Sequence, residues 1–160
     1  MTGTGRPCVA GDFAGSWTLE RHIEDALGPP ARFTGTARWT AEGDGFVQVE
    51  TGTLQIEGQG RFTAERRYRW GADLAVFFDD GRFFHQVPAR GGRADHWCDP
   101  DRYVVDYEFL LSANALAEFH TTWQVDGPRK SYRMVSAYRR LADGPGADMA
   151  DSAGAKSCLR

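Results

Sequence analysis

Between Phe13 and Leu141 the chain alternates apolar and polar residues with a period of two, and glycine- or proline-containing turns interrupt the alternation at short intervals. Successive side chains of a strand point to opposite faces, so this pattern dictates strands with one buried and one wet face. The segments that carry it run from "SWTLERHI", "RFTGTARWT", "FVQVETGTLQI" and "RFTAERRYRW" through "DLAVFF", "RFFHQV" and "RADHW" to "DRYVVDYEFLL", "ALAEFHTTWQV" and "KSYRMVSAYRRL". The breaks between them include "GPP", "EGDG", "DDG", "PARGG" and "DGPR". Asp80-Gly81 supplies the left-handed conformations that a tight hairpin needs, and Gly52 inside the third segment predicts a bulge or a bend. Only "HIEDAL" at 22–27 hints at a helical turn, which is too little helix for an α/β fold. The expected fold class is all-β: an antiparallel meander closed into a barrel of about 8–10 strands, because closure removes the exposed edges of a long meander.

At 160 residues the chain holds one domain. The alternating pattern places it at 13–141, with flexible segments at 1–12 and 142–160, which are small, polar and glycine-rich. A net charge of −3 provides no basic field for nucleic acid, so none is expected as a partner. No apolar run reaches the ~20 residues of a membrane span, and the opening residues lack a charged-then-apolar secretion pattern. A cytoplasmic protein with no membrane partner is expected, and a homodimer is left open. Of the three cysteines only Cys98 lies in the body, with Cys8 and Cys158 in the terminal segments, so no disulfide framework is indicated.

The apolar faces carry polar groups as well. Alternation puts Arg21 beside Leu19 and Ile23, Arg66 between Ala64 and Tyr68, and His85 between Phe83 and Val87. Glu50 falls in register with Gly52 and Leu54, while Tyr103, Tyr107 and Tyr132 line the aromatic face of the late strands. An unpaired charge in a dry core costs several kcal/mol, roughly, which points to a hollow barrel with a partly polar cavity. Glu50 would neutralise Arg21 or Arg66 and leave one guanidinium for a ligand bearing a carboxylate, carbonyl or phosphate. The competing possibility is a bulge in each strand that turns those arginines to the surface.

The densest cluster of reactive residue types is "HWCDPDRY" at 96–103. Metal binding needs three or four converging ligands, and the spacing of His96, Cys98 and Asp101 matches no metal motif, so no metal site is assigned. Cys98 as a nucleophile would need His96 as its base, whereas cysteine more commonly packs as a small hydrophobe. The favoured reading places this stretch and "GPRK" at the barrel mouth. There Asp99 or Asp101 caps a turn, Tyr103 begins a strand inside, and Lys130 receives the anionic end of a ligand. No motif implies a cofactor.

Gly15-Ser16-Trp17 at the start of the first strand, with Arg139-Arg140 ending the last, resembles the lipocalin (calycin) pattern. The resemblance implies a tryptophan closing the barrel base with a basic residue of the final strand packed across it, a cation over an indole face. "GSWTLERHIED", "FTGTARW", "DDGRFFH", "HWCDPDRYVVDYEF" and "GPRKSYRMVSAYRR" also resemble a bacterial domain-of-unknown-function family, which implies the same lipocalin-like barrel and no activity. The chain departs from ordinary lipocalins in having no secretion signal, disulfide pair or clear helix after the last strand, so extracellular transport is not carried over.

The function expected is small-molecule binding in an aromatic-lined, partly polar cavity, with Arg21, Glu50, Arg66, Tyr68, His85, Tyr107, Lys130 and Tyr132 as ligand-binding candidates. The alternative is an isomerase, cyclase or hydrolase on the same barrel, with His85, His96 and Tyr103 as catalytic candidates in a His/Tyr/Glu acid-base set. A barrel filled by its own side chains would exclude both.

Overall fold

The computed structural model describes residues 5–142. Ten strands occupy most of them: β1 (Gly15–Asp25), β2 (Ala31–Glu42), β3 (Gly45–Ile56), β4 (Gly60–Trp70), β5 (Ala75–Phe78), β6 (Phe83–Gln86), β7 (Gly92–Cys98), β8 (Asp101–Ser112), β9 (Ala115–Asp126) and β10 (Ser131–Arg140). Sequence neighbours pair antiparallel except β6 with β7, and β1 pairs with β10, which gives a single sheet ordered β6-β5-β4-β3-β2-β1-β10-β9-β8-β7. The sheet curls until β6 and β7 stand side by side without a hydrogen-bonded ladder. The result is a nearly closed, all-β antiparallel barrel, as the alternation predicts.

Local departures from simple alternation have identifiable causes. Gly52 does not make a bulge, because the β2–β3 register runs unbroken and sets it opposite Gly35. A Cβ on Gly35 would lie 2.0 Å from the Thr51 carbonyl oxygen, so the glycine pair serves a close approach of two backbones. A register shift instead falls in the β5–β6 hairpin, where Val76 pairs with His85 and Phe77 with Phe83. Phe84 is the extra residue, and the bulge buries both it and His85 while Phe83 remains 49% exposed. Alternation alone puts Phe83 inside, and the structure corrects it. At the turn of that hairpin Gly81 is left-handed, with φ 96°, and Asp80 is not.

"HIEDAL" forms no helical turn: β1 continues to Asp25 because β10 satisfies its backbone, and Ala26 N–H then donates to Ser131 O at 2.8 Å. Residues 5–12, read from sequence as part of a flexible segment, pack against the barrel. Cys8 N–H donates to Ala89 O at 2.8 Å, and a 3₁₀ turn at Ala10–Phe13 buries Cys8, Ala10 and Phe13. Cys8 and Cys98 are free thiols. Beyond residue 142, the expected C-terminal segment and Cys158 lie outside the described residues.

One end of the barrel is sealed. The rings of Phe13, Trp39, Trp70 and Phe119 meet at centroid distances of 4.8–5.9 Å. Trp17 Nε1–H donates to Phe13 O at 2.9 Å, and the Arg140 guanidinium lies 4.0 Å from the centre of the Trp17 ring. The same guanidinium donates to the carbonyls of Asp12, Ala14 and Leu116. The other end carries the loops that follow β1, β3, β5, β7 and β9, and it stays open. No helix among the described residues is long and apolar enough to cross a membrane.

Candidate functional site

The unbroken register of β1, β3 and β4 puts Arg21, Glu50 and Arg66 inside the barrel, and excludes bulges that would expose them. Arg21 and Glu50 neutralise one another midway up it. Arg21 Nη2 donates to Glu50 Oε1 at 3.0 Å, and Arg21 Nε donates to Ser136 Oγ at 2.8 Å. Gln48 Nε2 and the Tyr138 hydroxyl donate to Glu50 Oε2 at 2.8 and 2.5 Å, and Gln48 Oε1 accepts from Trp70 Nε1 at 2.7 Å. Burial pushes the Glu50 carboxyl up, but Arg21, the Tyr138 donor and Arg66 outweigh it and hold the group below its ordinary value. The network is charge-balanced, and both Arg21 and Glu50 are buried.

Against this network, and bordered also by Trp39, Trp70 and Phe119 of the base, lies a small inner chamber with about 20 Å³ of room for a water centre. His85 borders it, with Nε2 2.9 Å from the Tyr107 hydroxyl. Burial, with His96 adding to it, pushes the His85 imidazole down to about 3, so the ring is neutral. Burial also pushes Tyr68, Tyr107 and Tyr132 up, which keeps their hydroxyls protonated.

Beyond the chamber the barrel widens into an outer cavity of about 1080 Å³ that opens at the loop end. Arg66, Tyr68 and Trp123 border both spaces and form the floor of the outer one. Arg66 Nη1 donates to the Tyr68 hydroxyl at 3.4 Å, its guanidinium lies 5.7 Å from the Trp123 ring centre, and no carboxylate among the described residues forms an ion pair with it. Tyr103, Lys130 and Tyr132 line the walls above. The candidates therefore divide: Arg66, Tyr68, Lys130 and Tyr132 share the open cavity, His85 and Tyr107 sit in the chamber below, and Arg21 and Glu50 bond to each other.

"HWCDPDRY" is the β7–β8 turn at the open end. Lys130 Nζ lies 3.3 Å from Asp101 Oδ2 and 3.5 Å from the Tyr103 hydroxyl, which joins this turn to "GPRK". Among the described residues neither Asp99 nor Asp101 caps a backbone amide; Asp101 binds Lys130 instead. His96 turns inward against Phe84, with ring centres 5.5 Å apart, and borders neither cavity. Burial and then Arg82 hold its imidazole below the ordinary value. Among the described residues no group of three His, Cys, Asp or Glu side chains is placed to hold a metal ion.

Gln48, Trp123, Ser136 and Tyr138 complete these sites without being among the candidates: alternation puts Trp123, Ser136 and Tyr138 on the apolar faces of the last two strands, and Gln48 alone is left unplaced. It lies two residues from Glu50, so the period-two signal that exposed Glu50 extends to it as well.

A sealed base with a cation over its tryptophan, a ten-strand meander and an open mouth define a calycin-like barrel. The chain belongs to a family of unknown function, DUF6314, whose model matches residues 13–140. No curated protein matches it. Among solved structures it is similar to the S-type phycobiliprotein lyase CPES from Guillardia theta, with a TM-score of 0.58 and 7% identity over 84% of this chain and 91% of the other. That likeness is one of fold.

Proposed function

We propose that this barrel binds a small molecule in its outer cavity, with a carboxylate, carbonyl or phosphate of the ligand seated on Arg66. The observation that carries this reading is the guanidinium itself: it stands on the cavity floor without an ionic partner among the described residues, while Arg21 beneath it is neutralised by Glu50. Arginine presents a planar fork that bonds such oxygens with two donors. The rings of Tyr68, Trp123 and Tyr132 supply apolar contact for the body of the ligand, and Lys130 supplies a second cation near the rim. The volume of about 1080 Å³ lies just above the range of ordinary small-molecule sites, about 300–1,000 Å³. The barrel shared with the phycobiliprotein lyase supports such an interior without naming what fills it.

Binding is preferred to acid-base catalysis because His85 borders only the chamber, which has no room for a substrate, and His96 borders neither space. Comparing native with denaturing mass spectra of gently purified protein tests the proposal. A small-molecule mass present only in the native spectrum, and depleted in Arg66→Met, is the expected result. Equal adducts in both proteins would remove Arg66 from the site.

A further inference from the structure

We infer that the inner chamber is a second subsite, one that seats a single hydrogen-bond-accepting oxygen atom among Trp39 Nε1, His85 Nδ1 and Thr121 Oγ1. These three are the buried side-chain polar atoms without a partner among the described residues, and all three residues border this one chamber. Their residues are 2%, 2% and 4% exposed, so bulk water does not satisfy them. An orphaned buried donor or acceptor is costly, and native structures leave only a few of them, so their gathering around a single void is the informative observation. Three bordering one void mark the place of a missing partner.

Size limits what that partner is. A water needs about 10–15 Å³ of room for its centre, and the chamber offers about 20 Å³, enough for one oxygen and at most two. Polarity limits it further. The Trp39 indole only donates. The Tyr107 hydroxyl is protonated and is a stronger donor than a neutral imidazole N–H, so it gives its hydrogen to His85 Nε2 at 2.9 Å. The neutral ring then carries its own hydrogen on Nδ1, a second fixed donor on a residue that borders the void. The Thr121 hydroxyl rotates to suit. Two fixed donors and one rotor select an acceptor oxygen and reject a cation.

That oxygen has two sources. It belongs to a resident water, or to the tip of a molecule held above, since Arg66, Tyr68 and Trp123 border both spaces. The subsite does not depend on the outer cavity being occupied, so its test needs no added ligand.

The test is a high-resolution crystal structure of the protein as purified, beside Thr121→Val, which keeps the shape of the side chain and removes its hydroxyl. The expected result is a peak within hydrogen-bond reach of at least two of the three atoms, lost or displaced in the variant. An isolated peak identifies water, and density continuing past Arg66 identifies a ligand tip. Nitrogen chemical shifts of His85 give a second readout on the wild-type protein alone, and should show Nδ1 protonated. An empty chamber, or an Nδ1 without its hydrogen, overturns the inference.

Discussion

The guanidinium of Arg21 lies 3.0 Å from the carboxylate of Glu50, and the two side chains are 4% and 2% exposed. Their attraction offsets a large desolvation cost only while both partners are present, so removing one leaves a buried charge uncompensated. Glu50→Gln is expected to destabilise the protein by about 3–5 kcal/mol, read from the midpoint of a urea titration. An unchanged midpoint would mean that Arg21 finds water or another partner. The pH dependence has a definite sign. Because the folded carboxyl is held below its ordinary value of 4.5, this pair's contribution is complete above that pH and is lost as pH falls further, through the folded value.

His85 acts in a different window. Its ring is pushed from 6.5 down to about 3 by burial, with His96 second, so the unfolded chain binds a proton that the native protein refuses. Stability should therefore fall as pH drops from 6.5 towards 3, by at most about 1.4 kcal/mol per pH unit from this group. His85→Gln should flatten the curve between those values. A variant whose curve retains the wild-type slope there would assign the slope to other groups.

At the sealed end Arg140 combines a face-on contact to Trp17 with hydrogen bonds to three backbone carbonyls. Arg140→Ala is expected to cost about 2–4 kcal/mol, the sum of a partly buried cation–aromatic contact and orphaned carbonyls. Arg140→Lys keeps the cation but not the fork, and should lose less. Thermal melting of the two variants distinguishes these contributions, and equal losses would mean that the fork alone matters.

Gly35 has no room for a methyl group, since the obstructing atom is the backbone oxygen of Thr51 rather than a side chain that can turn away. Gly35→Ala should destabilise by about 1–3 kcal/mol or more. A neutral Gly35→Ala in a denaturant titration would show that β2 and β3 stand farther apart than described.

Much of this architecture was legible in the alternation, and the reasons for the gaps are local. Arg21 and Arg66 stand on apolar faces of strands with unbroken register, and Tyr107 precedes the register shift that β8 makes at Leu110/Leu111, so period two puts all three inside. Which arginine Glu50 would bind was not legible: Arg66 is its direct cross-strand neighbour, yet Arg21 makes the ion pair. That choice follows from the three-dimensional positions of Gln48, Ser136 and Tyr138, which no spacing reveals. The bulge at Phe84 escaped because "RFFHQV" offers two adjacent phenylalanines and sequence alone cannot say which is the extra residue. The N-terminal segment looked uncommitted because its contribution is a few small apolar groups, Cys8 and Ala10, seated by backbone hydrogen bonds that leave no periodic mark.

The central claim is that the outer cavity takes an oxygen-bearing ligand on Arg66. It is tested most directly by titrating the fluorescent aromatic anion anilinonaphthalene sulfonate into wild-type protein and Arg66→Met, with melting temperatures confirming that both are folded. Saturable binding at one site per chain, weakened about tenfold or more in the variant, is the predicted result. Binding of equal strength in the two proteins, or none to the wild type, would contradict it.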